Sequence, residues 1–220
     1  MRITKRRLRR WIPIILVGGA AAVVAPVLLA VALRASLAAE PAPATAEPVE
    51  LHPVGDFTHP TAGFAMPEAA GPFQRVAVTQ YDESGRDVSA GYNALVGGEI
   101  SLPIAATLYV YPNDQESDLD ARFEALVWDI RRQHEDASVQ LRKNILLADR
   151  FPARCAVFAF EEPWGGVAKD VRLRSYFVLY RWEDWWVKWR VTTPAPVDRG
   201  RMEAIVELTE TLVPPEGGVH

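Results

Sequence analysis

The chain has 220 residues, and its formal net charge of −4 hides a split: residues 1–40 hold seven Lys/Arg and one acid, leaving 17 basic and 27 acidic residues beyond them, a net of −10. So acidic a domain lacks the Lys and Arg that phosphates require, which excludes nucleic acid as a partner. The one cysteine, Cys155, excludes an internal disulfide, and its apolar neighbours Ala156, Val157 and Phe158 mark it as a buried, inert thiol.

Six cations precede Trp11, so residues 1–10 form a basic leader. From Trp11 to Leu33 run 23 residues without a charge, enough for a helix to cross a bilayer core, which needs about 20. Residues 11–34 therefore read as a transmembrane anchor. A cleaved signal is the alternative, with Ser36-Leu37-Ala38 or Ala44-Thr45-Ala46 as the cut. In either case the cationic leader stays in the cytoplasm and the bulk of the chain lies outside it. The expected location is the cell membrane, single-pass, or the periplasm or exterior after cleavage.

Residues 35–62 read as a Pro/Ala-rich tether, extended and semi-rigid, with Pro41, Pro43 and Pro48 at short intervals. His52 and His59 sit there beside prolines with no carboxylate or thiol at ligand spacing, and solvated side chains are expected. The folding unit is then 63–216, about the size of one ordinary domain.

Seven strand-like runs follow: 73–81, 88–95, 100–111, 139–147, 153–160, 171–181 and 185–193. The segments 82–86, Gly165-Gly166 and Trp182-Glu183-Asp184 are the hairpin turns. Ser117 and the acids after it open a helix whose stripe is Leu119, Phe123, Leu126, Val127 and Ile130. Asp198 caps a second helix, with Met202, Ile205, Leu208 and Leu212 on one side. The fold class this predicts is α+β: a mostly antiparallel sheet of six to seven strands flanked by two helices, preceded by the transmembrane or signal helix. That order resembles the PsbP-like fold over residues 63–213. Ala106-Thr107-Leu108-Tyr109-Val110-Tyr111-Pro112 and Trp185-Trp186-Val187-Lys188-Trp189-Arg190-Val191-Thr192 look like segments of exported bacterial proteins of unknown function. The resemblance implies a sandwich and carries no catalytic residues.

No metal, nucleophile or phosphate-loop motif is present, so no metal and no cofactor are expected. The alternating acids Asp114, Glu116, Asp118 and Asp120 lack the Gly and the distal Glu of a calcium loop. His134 is the one histidine inside a predicted element and reads as structural. An enzyme reading would need it to meet Glu161 or Glu162, which otherwise belong to a solvated loop.

The last hairpin is the most informative stretch. Alternation puts Trp185, Val187, Trp189 and Val191 on one side, with Trp186, Lys188 and Arg190 on the other. In the strand before it, Arg172, Arg174, Tyr176 and Tyr180 alternate with apolar residues. If the register aligns these sets, they form a basic-aromatic platform for an envelope protein or an anionic envelope ligand. Otherwise the same residues are a solvated face of stacked cations and rings. The expected function is a membrane-tethered accessory or binding module without catalysis. Small-molecule binding in a helix–sheet pocket is the second reading, and an enzyme the third.

Overall fold

A computed structural model describes residues 47–95, 103–113 and 117–214. The expected leader and spanning segment, residues 35–46 of the tether, and Asp114 and Glu116 lie outside these residues. Among the described residues, no helix is long and apolar enough to cross a membrane.

The strands are β1 (Val49–Leu51), β2 (Phe57–Thr58), β3 (Ala65–Met66), β4 (Ala69–Ala70), β5 (Phe73–Gln80), β6 (Val88–Leu95), β7 (Pro103–Pro112), β8 (Ser138–Leu147), β9 (Phe151–Trp164), β10 (Val167–Trp182) and β11 (Trp185–Pro194). Helix α1 (Leu119–Gln133) joins β7 to β8, and α2 (Arg199–Leu212) follows β11. One nine-stranded sheet runs β1-β5-β6-β7-β11-β10-β9-β8, with β4 also paired to β5, and every recorded pairing is antiparallel. Strands β2 and β3 form a separate pair.

The expected α+β class with six to seven strands is therefore corrected. Strands make up 54 % of the described residues, and the molecule is mostly β, a nine-stranded antiparallel sheet with two helices. Two features account for the difference. Strands β1 and β4 are only three and two residues long, too short to display an alternating pattern. The central strands also run on where loops were expected: β9 continues through Glu161, Glu162 and Pro163 to Trp164, and turns only at Gly165-Gly166. Both glycines have positive φ, 61° and 81°, which suits a tight hairpin between long strands.

Each face of the sheet carries a helix. Phe123, Leu126, Val127 and Ile130 of α1 pack on Ala156, Phe158, Phe160, Leu173, Phe177 and Trp186. On the opposite face, Ala204, Ile205, Leu208 and Leu212 of α2 join the core of Val178, Tyr180, Val187, Trp189 and Val191. Burying each such side chain is worth about 1.5–3 kcal/mol, so both helices are held by packing on strands that are apolar on both sides. Asp118 caps α1, in place of the expected Ser117: its Oδ1 accepts the Ala121 N–H at 2.8 Å. Asp198 caps α2 in the same way, from the Arg201 N–H at 2.9 Å.

The segment after Val49, expected as tether, packs on the sheet. Arg75 donates to the carbonyls of Pro53, Gly55 and Met66, gathering the arm around one cation. His59 is not solvated but buried, at 1 % exposure. Its Nδ1 accepts the Ala62 N–H at 3.1 Å, so Nε2 carries the proton and faces the carbonyls of Arg86 and Val110 at 3.2 and 3.3 Å.

Candidate functional site

The β10–β11 turn decides where the predicted site residues point. Trp182 pairs with Trp185, so the turn is the two residues Glu183-Asp184, with Glu183 at φ 53°. A three-residue turn beginning at Trp182 would have set Tyr176 across from Arg190 and Tyr180 across from Trp186. Losing one residue from the turn flips that parity. Arg190 is instead opposite Phe177, Lys188 opposite Leu179 and Trp186 opposite Arg181, while Tyr176 faces Val191 and Tyr180 faces Val187.

The seven residues are thus divided between two faces. Trp186, Lys188 and Arg190 lie on the α1 side. Arg172, Arg174, Tyr176 and Tyr180 lie on the α2 side, where Arg172 is exposed, Arg174 and Tyr176 are half-buried and Tyr180 is in the core. Burial raises the Tyr180 and Tyr176 hydroxyls above the ordinary tyrosine range. Trp186 is 2 % exposed beneath α1.

On the α1 side, β11 and β7 run Trp186, Lys188, Arg190 beside Tyr111, Tyr109, Thr107. The Lys188 ammonium sits 4.0 Å from the centre of the Tyr109 ring, and Tyr81 stacks on that ring at 6.3 Å. Arg122 of α1 lies over Tyr111 at 5.2 Å and donates from Nε to its hydroxyl at 3.3 Å. Asp87 adjoins this group, its carboxyl pushed up to about 6 by burial, against the pull of Lys188 and Arg122.

Two residues along β11, Arg190 is 5 % exposed and bound to neutral groups. Its Nε donates to Ser175 Oγ at 2.6 Å, and that hydroxyl also bonds Thr192 Oγ1 at 3.0 Å. Its Nη2 donates to His134 Nε2 at 3.2 Å. A guanidinium has only donors, so Nε2 accepts and the imidazole proton is on Nδ1, which faces Glu162 Oε2 at 3.3 Å. The imidazole stacks on Phe160, ring centres 4.3 Å apart. Burial lowers the guanidinium to about 10, with Glu162 opposing. Arg190 Nη1 and Glu162 Oε1 are buried without a partner.

The enzyme reading required His134 to meet Glu161 or Glu162; it meets Glu162, because β9 extends past Phe160 and carries Glu162 to the end of α1. Glu161 instead takes the Asp136 carboxylate on its backbone N–H at 2.8 Å. Asp87, Ser175 and Thr192 gave no signal in the sequence, and only the fold brings them to this face. Among the described residues, no three His, Cys, Asp or Glu side chains are placed to hold a metal ion.

No family model and no curated protein matches the chain. Its structure is similar to the crystal structure of a Pseudomonas aeruginosa protein of unknown function, described as a suggested regulator, with a TM-score of 0.50 and 11 % identity over 73 % of this chain and 96 % of that one. At that identity the likeness is one of fold, and the chemistry rests on the residues themselves.

Proposed function

We propose that the chain is a non-catalytic binding module, tethered to a membrane by its apolar N-terminal run, which docks another envelope component where Lys188 and Arg181 come to the surface on the α1 side of the β10–β11 hairpin. The reading rests on one observation: in a domain of net charge −10, the half-buried Lys188 lies against the rings of Tyr109 and Tyr111, on the same face as the exposed Arg181. Tyrosine and arginine are enriched among the residues that carry the energetics of interfaces. Two facts favour binding over catalysis. Both ring nitrogens of His134 are engaged, by Arg190 and Glu162. Ser175, the hydroxyl that shares Arg190 with His134, is fully buried and occupied by Arg190 and Thr192. A general base needs a free nitrogen within reach of its substrate.

The test places a photoreactive residue at the exposed Arg181, on the same face, in the full-length chain in its own membrane. A discrete cross-linked product should form and vanish with Lys188→Glu, while circular dichroism stays unchanged. A product that persists at the same yield in Lys188→Glu defeats the reading.

A further inference from the structure

The two rims of the sheet are finished differently. At one rim, β1 pairs with β5 at three positions. At the other, β8 runs for ten residues, seven of them exposed, and has β9 as its one neighbour among the described residues. Every second residue of an edge strand turns its N–H and C=O outward, so an edge of this length is a template for one more strand. Brevity, proline or a bulge ordinarily blunts such an edge. β8 has no proline, and its bulge at Gln140, between Val139 and Leu141, leaves an unbroken ladder from Leu141 to Leu147. Ala148 and Asp149, at φ 46° and 57°, turn the chain and close the other end.

The contacts of this segment fix its faces. Arg142 donates to the Glu124 carboxylate of α1 at 2.7 and 2.8 Å, so Arg142, Asn144 and Leu146 lie on the α1 side. Leu141, Lys143, Ile145 and Leu147 lie on the α2 side, where Ile145 and Leu147 join the core. Leu141 and Leu146, 41 % and 53 % exposed, leave apolar surface open on both sides. A ladder closed at both ends has its midpoint at Asn144, and two copies laid antiparallel about that midpoint use all of it. Asn144 then meets Asn144 of the second copy, Arg142 meets Leu146, Lys143 meets Ile145 and Leu141 meets Leu147, each pair on one face. The stems of both cations lie along apolar side chains while their charged ends stay in water. The two Lys143 side chains meet only on the diagonal, about 7–8 Å apart. Centring the pair on Arg142 or Lys143 instead would set that cation directly against itself, which is destabilising. Length and charge therefore select the same register. An acidic strand from another protein fits less well, because Arg142 already holds Glu124 and Lys143 alone is left to attract it.

We propose that β8 is the interface between two copies of the chain, paired antiparallel about Asn144 into one continuous sheet. The inference goes beyond the docking reading and does not depend on it, since β11 lies three strands in from β8.

The experiment uses the full-length chain in detergent, with Cys155→Ser so that each introduced thiol is alone. Under mild oxidation Asn144→Cys should form a disulfide-linked dimer, because directly opposed antiparallel residues stand about 4.5–5.5 Å apart, within disulfide reach. Gln140→Cys, exposed like Asn144 but beyond the ladder, should not. Arg142→Cys chains mixed with Leu146→Cys chains should cross-link, and Arg142→Cys alone should not. With no thiol introduced, light scattering should show a dimer. Leu146→Lys, which sets a second cation across from Arg142, should weaken it about tenfold while circular dichroism stays unchanged. Three results overturn the proposal: a monomer at every concentration, cross-linking no greater at 144 than at 140, or a dimer indifferent to Leu146→Lys.

Discussion

Burial acts on His59 and Asp87 with opposite consequences for stability. The His59 pKa is lowered below 6.5 by burial, which outweighs the opposite pull of the Val110 and Arg86 carbonyls. Its contribution is therefore present above pH 6.5 and is lost as the pH falls through the folded-state value. The Asp87 pKa is raised from 3.8 to about 6. Its contribution is full below 3.8 and is lost as the pH rises through about 6. Urea unfolding against pH separates them: Asp87→Asn should steepen the acid loss between about pH 6 and 4, and His59→Gln should flatten it while costing about 1–3 kcal/mol at neutral pH. A steeper acid limb in His59→Gln contradicts the assignment. Trp186 behaves as core. Trp186→Ala should cost about 3–5 kcal/mol, seen as a lower urea midpoint, and a variant with wild-type stability would place the indole outside the α1 interface.

At the scale of elements, alternation along β9, β10 and β11 was legible in the sequence, because apolar residues at every second position leave little choice of face. The register between strands was not. It hung on whether Trp182 belongs to the strand or to the turn, and one residue moved four of the seven candidate residues to the other side of the sheet. Neither was the exposure of those faces legible: that Trp186 and Arg190 lie under cover depends on α1 folding back over β9 and β10, a contact distant in sequence. The turn offers a test of its own. Glu183 holds a positive φ that a glycine adopts without steric cost, so Glu183→Gly should raise stability by about 0.5 kcal/mol. Asp118→Ala, which strips the cap of α1, should lower it by about 1 kcal/mol. Thermal unfolding at constant pH reads both, and a neutral Asp118→Ala would mean the α1 cap contributes nothing.

Across the whole molecule, the expected α+β sandwich of six to seven strands gives way to a mostly β molecule with a nine-stranded sheet, and the extra strands come from the arm ahead of Phe73. Proline spacing described that arm as tether and took His59 as solvated, whereas Arg75 and His59 help bind it to the sheet. Arg75→Met removes the hydrogen bonds to three carbonyls and keeps most of the bulk. Hydrogen exchange in Phe57–Met66 should quicken in this variant while β9–β11 remain protected; equal protection in the arm would mean that packing alone retains it.

Because β1 lies at one rim of the sheet and is matched to β5 at only three positions, Val49 to Leu51, any tension entering through the N-terminus loads those rungs one at a time. It strips them before reaching the arm that Arg75 and His59 fasten. The opposite rim, β8, stands seven strand spacings away, about 33 Å. A pull on the chain ahead of Val49 would therefore peel the near rim like a strip of tape and leave the strands around Arg190 undisturbed.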